Sequence, residues 1–262
     1  MYNRLVSLNE VGGEPERFGI SVDQLHRANQ ERQRRWPASM LATSTHDTKR
    51  SEDTRARISV LSEIPSAWEA TVEKVREATR AFKVDLEGVF APDDNEEYLL
   101  YQTLIGTWPA FPTFLEQVPE SYIDRVVAYM QKATKEAKVN TSWVNASPEY
   151  DAAVERFTRR ILGEPAFLSA FLPLARVVAF HGMWSALSQV LLKLMSPGVP
   201  DIYQGTESWD DSMVDPDNRR PVDYALRRRM LAEVKERRAE GAGLCRDLVA
   251  KASDGRIKLF VT

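Results

Sequence analysis

The stretch Ala42-Thr-Ser-Thr-His-Asp-Thr-Lys-Arg-Ser-Glu-Asp53 sets a carboxylate, Asp47, beside an imidazole, His46, directly after the short apolar run Ser39-Met-Leu-Ala42. A carboxylate placed where a buried segment ends can act in proton transfer or hold developing positive charge. As an isolated Asp-Thr pair it would more often cap a helix or brace a loop. Lys49 and Arg50 follow at once. They are either ligand contacts or ion-pair partners of Glu52 and Asp53, and Arg suits bidentate pairing with a carboxylate. No Gly-rich loop accompanies them, which disfavours a phosphate site.

A second polar cluster follows Pro197-Gly-Val-Pro-Asp-Ile-Tyr203. Tyr203, Gln204 and Glu207 stand at its start, and Glu207 could shape a binding subsite or pair with an arginine. Trp209 lies just beyond, and among the six tryptophans it is the best candidate to stack on an apolar sugar face. The turn Asp215-Pro-Asp-Asn-Arg-Arg220 would ordinarily be plain surface. Its Asp217, Asn218, Arg219 and Arg220 are nevertheless the planar polar groups that recognise sugar hydroxyls. His181, inside an apolar run, reads as a core histidine.

The elements that must carry these residues are mostly helical. Ser21 can cap a helix over 21–35 that stops before Pro37. Residues 39–44 are too short for a helix and read as a buried strand ending near Thr45. Ser51 is a suitable cap, with Glu52 and Asp53 in a first turn where negative charge suits the helix dipole. That helix should run to about Glu63. Further helices are expected over 67–83, 96–107, 119–138 and 148–162; the third of these shows Ile123, Val126, Val127, Met130, Ala133 and Ala137 on one face. Residues 166–195 form two apolar helices or one kinked at Pro173. A short strand, 201–203, precedes a turn-rich loop and an amphipathic helix that ends at Gly241 and Gly243. Residues 255–261 alternate as a final strand.

The bulk numbers bound the partners. A chain of 262 residues holds one or two domains. A net charge of −3 with interleaved signs leaves no basic surface for nucleic acid. One cysteine, Cys245, fits a reducing, cytoplasmic setting. Three histidines without cysteine pairs make a structural metal site unexpected, and no cofactor motif appears. Pro173, Arg176, His181 and Lys193 interrupt the most apolar segment, so no membrane span is expected. The start of the chain lacks the apolar core of a secretory signal.

Two strand-to-loop junctions, near Asp47 and near Glu207, are separated by a long helical stretch; if the strands are neighbours, their loops meet at one rim, as in an α/β barrel. Thr45-His-Asp-Thr-Lys-Arg-Ser-Glu-Asp53 resembles the fourth signature region of the α-amylase-type glycosidase superfamily, and Pro197–Glu207 resembles its eighth-strand segment. The strings Tyr2-Asn-Arg-Leu-Val-Ser-Leu-Asn-Glu-Val-Gly-Gly13, Thr141-Ser-Trp-Val-Asn145 and Asp215-Pro-Asp-Asn-Arg-Arg-Pro221 narrow the resemblance to the maltooligosyltrehalose synthase family, over essentially the whole chain.

The resemblance implies a mainly α fold: a helical insertion, strands seven and eight of an incomplete (β/α)8 barrel, and the first strand of a C-terminal β domain. The implied divisions are 1–53 (barrel end with strand seven), 54–178 (all-helical insertion), 179–240 (helix, strand eight and final helix) and 241–262 (start of the β domain). It implies a later part of an enzyme that turns the reducing-end α-1,4 bond of a maltooligosaccharide into an α,α-1,1 bond. Asp47 matches the third carboxylate, which supports the distorted sugar, and His46 matches a neighbour that bonds a sugar hydroxyl. Lys49, Arg50, Tyr203, Gln204, Glu207, Trp209, Asp217, Asn218, Arg219 and Arg220 are the expected substrate contacts. The family's nucleophile and acid/base carboxylates lie on earlier strands, and nothing before Asp47 matches them; Glu10 does not read as the missing acid. The expected partners are therefore a maltooligosaccharide and the remainder of the enzyme, with the chain inactive alone. The alternatives are a non-catalytic maltooligosaccharide-binding module, a helical interaction module, or a hydrolytic relative.

Overall fold

The computed structural model describes residues 5–262, so the string that begins at Tyr2 starts outside the described residues. In chain order the elements are α1 (Val22–Arg35), β1 (Met40–Leu41), α2 (Glu52–Val60), α3 (Pro65–Thr79), β2 (Val84–Leu86), β3 (Val89–Ala91), α4 (Asp94–Thr107), α5 (Glu120–Ala137), α6 (Pro148–Leu162), α7 (Pro165–Met195), β4 (Val199–Pro200), α8 (Tyr224–Glu236), α9 (Ala242–Ala250) and α10 (Arg256–Val261). Helix dominates, at 62% against 5% strand, in keeping with the mainly α expectation. The chain divides into two compact units. One comprises residues 58–109 and 114–180 with the first described residues; the other comprises 7–57, 110–113 and 181–262.

In the first unit, Asp93 and Glu96 form a capping box that starts α4, which is buried along most of its length. Phe167 and Phe171 of α7 stack 5.1 Å apart, and Trp108 lies 5.3 Å from Phe171. α5 and α6 are laced by ion pairs from Arg159 to Glu120 and Asp124. The span 54–178, expected to be all-helical, contains the β2–β3 hairpin. Its two-residue loop places Glu87 and Gly88 at positive φ, which matches the twist of the flanking strands. Three-residue strands are too short for alternation to reveal them.

The second unit holds the residues proposed for chemistry. β1 and β4 pair in parallel, Met40 opposite Val199 and Leu41 opposite Pro200. Gly198 makes that pairing possible: at φ +139 a Cβ there would sit 2.7 Å from the Leu41 side chain and 2.7 Å from the Ser39 carbonyl oxygen. The second strand is therefore 199–200, and the expected 201–203 segment is its irregular exit. Ser51 caps α2, its hydroxyl accepting from the Thr54 amide.

Residues 166–195 form a single helix, α7, with Pro173 in its interior. By length and composition it could cross a membrane, yet its Met183, Leu187 and Val190 are buried within the second unit. Met183 and Leu187 pack with Val234, Leu244, Leu248, Ala252 and Ile257, joined by Phe111, Trp184, Trp209 and Val261.

The strand expected over 255–261 is a correction. Residues 256–261 are the helix α10, and Gly241 and Gly243 mark the start of α9 rather than open chain. Alternation would place Arg256, Lys258 and Phe260 on one outer face. Lys258 is instead fully buried, while Ile257 and Val261, one helical turn apart, face the apolar cluster.

Candidate functional site

The parallel β1–β4 pair sends both chain exits the same way, so the 42–51 and 201–220 loops start side by side. They are stitched by backbone: Ser51 N–H donates to the Ser212 carbonyl at 3.0 Å, and Arg50 bridges Met213. Across this seam His46 and Asp47 meet the Asp215–Arg220 turn. His46 Nδ1 lies 3.2 Å from Asp47 Oδ1, and Nε2 lies 3.5 Å from Asp215 Oδ1. Asn218 Nδ2 donates to the His46 carbonyl at 2.7 Å, and Arg219 pairs with Asp215. The Asp47 side chain is 79% exposed, an open carboxylate at the tip of its turn. Tyr203 borders the group. Burial holds its hydroxyl above the usual phenol value, and the charges of Arg219, Asp210 and Asp215 act on it.

The other expected contacts divide by role. Asp217 accepts from the Met213 amide at 2.8 Å and, with Asp211 and Ser212, holds Arg220. These two residues build the turn. Gln204 is exposed beyond β4. Glu207 pairs with Arg227, which also donates to the Gly205 carbonyl at 2.9 Å. Trp209 is engaged as a core residue: its ring lies 5.2 Å from Phe111 and its N–H donates to the Ala252 carbonyl. That packing, rather than an open platform, is what the structure gives it. Lys49 and Arg50 present their amides to Glu10, at 2.7 and 3.4 Å, and Arg50 is buried. Glu10 thus secures the backbone just after Asp47.

Glu52 and Asp53, offered above as ion-pair partners of Lys49 and Arg50, belong to a buried network that the sequence reading missed. Lys258 Nζ lies 2.9 Å from Glu52 and 2.8 Å from Asp53. Lys193 Nζ lies 3.7 Å from Glu52 and donates to Thr43 Oγ1 and to the Asp201 carbonyl, both at 2.9 Å. Glu52 also accepts from the Thr43 hydroxyl, and its amide donates to Ser44 Oγ. Asp53 accepts from the Asp210 amide at 2.8 Å, while Ser51 Oγ donates to the Asp210 carbonyl.

Charge sharing inside this network is uneven. Burial pushes the Glu52 carboxyl up, but Lys258, the Thr43 hydroxyl and Lys193 outweigh it and leave the group below its ordinary value. For Asp53 burial wins over Lys258 and the carboxyl is raised. Burial lowers Lys193, whereas Asp53 and Glu52 overcome burial at Lys258 and raise it. The only trace of this network in the sequence is Lys193 itself, a cation within the apolar run 186–195.

Among the described residues no group of His, Cys, Asp and Glu side chains is arranged to hold a metal ion. A cavity of about 460 Å3 lies in the first unit, lined by Arg76, Arg80, Lys83, Phe90, Asp94 and Glu97; it contains none of the expected site residues.

Solved structures give the class of molecule that the chain resembles. The chain superposes on trehalose-forming synthases: over 99% of its length on a maltooligosyl trehalose synthase (TM-score 0.84, 36% identity, 33% of that chain), and over 98% on the maltooligosyltrehalose synthase of Arthrobacter ramosus (TM-score 0.78, 35% identity, 30% of that chain). A Sulfolobus tokodaii structure described as a hypothetical maltooligosyl trehalose synthase matches 85% of the chain and 29% of its own length, at 40% identity and TM-score 0.74. No family model matches.

Among curated proteins, the two Mycobacterium tuberculosis sequences that bear the name maltooligosyl trehalose synthase, from strains CDC 1551 / Oshkosh and ATCC 25618 / H37Rv, are each 43% identical over 225 residues. That alignment takes in 86% of this chain and 28% of theirs. The chain is thus similar, over nearly all its length, to part of maltooligosyltrehalose synthase, and it spans less than a third of the curated relatives it matches.

Proposed function

We propose that this chain supplies one side of the active site of a maltooligosyltrehalose synthase, corresponding to a later part of that enzyme. The reaction would be an intramolecular transglucosylation of maltooligosaccharides, and the chain would not catalyse it alone. The observation that carries the reading is the meeting of His46–Asp47 with Asp215, Asn218 and Arg219 across two loops that leave a parallel strand pair together.

Retaining transfer between sugar positions needs a carboxylate nucleophile and a second carboxyl that protonates the leaving oxygen and then activates the acceptor. Asp47 is suited to neither task alone. As an exposed anion beside an imidazole it is suited to hold a sugar hydroxyl and to offset the positive charge that gathers on the ring in the transition state. Asn218 supports the same reading: Nδ2 is engaged by the His46 carbonyl, while Oδ1 is buried without a hydrogen-bond partner and offers an acceptor for a sugar hydroxyl. His46, Tyr203 and Arg219 would complete the contacts, with Lys49, Arg50, Asp217 and Arg220 shaping the walls. In this reading β1 and β4 are the seventh and eighth barrel strands. Residues 54–178 are inserted between them, and the second unit's exposed apolar groups face the rest of the enzyme. The single cysteine fits a cytoplasmic setting.

The test is to incubate maltopentaose with the chain alone, and with the whole enzyme in wild-type and Asp47→Asn forms. The chain alone should give no trehalose-ended isomer. In the whole enzyme Asp47→Asn should lower kcat by about 10²–10³-fold with KM little changed, as for loss of one group that stabilises transition-state charge. Turnover by the isolated chain, or a variant with wild-type kcat, would refute the proposal.

A further inference from the structure

Lys193 lies near the C-terminal end of α7 as a buried cation, its side chain 3% exposed, reaching two places at once. One is Thr43 Oγ1, two residues beyond β1; the other is the carbonyl of Asp201, the first residue beyond β4. These are the points where the His46–Asp47 loop and the 201–220 loop leave the paired strands. The ladder itself is only two residues long on each side, and few backbone bonds hold the exits together. Behind Lys193, Glu52 takes the Thr43 hydroxyl and the Lys258 ammonium, so the lysine belongs to a fully connected buried network.

We propose that Lys193 is a positioning residue that clamps the two strand exits, and through them sets the distance between the His46–Asp47 turn and the Asp215–Arg219 turn. It touches no sugar. An ammonium on a four-carbon stem has three donors in a tetrahedral arrangement, which allows it to serve a hydroxyl, a carbonyl and a carboxylate that point from three directions. A neutral residue of nearly the same length fills most of the space but leaves the Thr43 hydroxyl and the Asp201 carbonyl without this donor, and removes one of the two cations beside Glu52. The consequence for the reaction rests on the function proposed above; the clamp itself does not.

The test separates the two. Amide hydrogen exchange is measured on the saccharide-free chain in wild-type, Lys193→Met, Lys193→Arg and Thr43→Val forms. In Lys193→Met, amides of 43–48 and 199–203 should exchange about tenfold faster, with α5 and α6 unchanged, and Lys193→Arg should restore part of the protection. Thr43→Val keeps the cation and removes one anchor, so it should reproduce the local pattern even if Lys193→Met fails to fold. Unchanged exchange in Thr43→Val and Lys193→Met, or a loss spread evenly over α8–α10, would overturn the clamp.

In the whole enzyme, Lys193→Met should then lower kcat about tenfold with KM nearly constant, because alignment and not affinity is lost. Loosened exits with an intact kcat would overturn the positioning role. A wild-type enzyme forming no α,α-1,1 product would overturn the functional reading and leave the exchange result standing.

Discussion

Lys258 shows how strongly one side chain can depend on its partners. It is fully buried, and two carboxylates, Glu52 and Asp53, together with the Trp209 ring 5.7 Å away, make an ammonium tolerable there. Replacing it by Met should destabilise the chain by about 3–5 kcal/mol in urea unfolding, because two carboxylates lose their main counter-charge. Asp210 behaves in the opposite sense. Burial pushes its carboxyl up to about 6, with the Ser212 hydroxyl only partly compensating. The folded chain therefore holds a proton that the unfolded chain has released. That contribution is complete below about pH 4 and is lost as pH rises through about 6, at a cost of up to roughly 3 kcal/mol. Asp210→Asn should flatten this part of a stability-against-pH curve, and a variant that keeps the wild-type slope would assign it to another group. These residues were not legible in advance. Glu52 and Asp53 look like ordinary first-turn acids, and their partners, Lys193 and Lys258, lie far along the chain where only folding brings them near. His46 and Asp47 are adjacent in sequence and pair locally, whereas Asp215 and Asn218 reach His46 only through the fold.

Helices α1, α4, α5 and α6 lie within a few residues of where caps, prolines and apolar spacing put them. Ser21, for instance, both accepts from Gln24 and receives its side chain in return. In α10 the residues Ile257, Leu259 and Val261 alternate as in a strand, and a six-residue segment is too short for its spacing to separate period two from a helical turn. The outcome depended on Lys258 being drawn inward by charges the local sequence does not contain. A comparable tertiary constraint acts on Gly182 in α7. A Cβ there would lie 2.7 Å from the Arg57 Cα of α2, so the two backbones touch. Gly182→Ala would ordinarily favour a helix by nearly 1 kcal/mol. Here it should instead cost about 1–3 kcal/mol, read as a lower thermal midpoint, because α2 must shift. A gain in stability would mean that the two helices can part freely.

At the scale of the whole molecule, the apolar groups left in contact with water say the most. Met40 and Val199 face each other on the ladder and are both exposed, as are Leu191, Leu192 and Met195 on the last turn of α7. In the isolated chain these should bind an apolar dye and promote self-association, which light scattering would report as mass rising with concentration. A monomer that stays dark with the dye at all concentrations would show that the exposed groups are too scattered to matter. The near balance of charge adds little repulsion to oppose such contacts. A ladder of two strands also has two outer margins whose peptide groups can recruit another strand. The segment that leads to Asp47 then also offers an adhesive edge, so handling the chain dilute would preserve the backbone order of that segment.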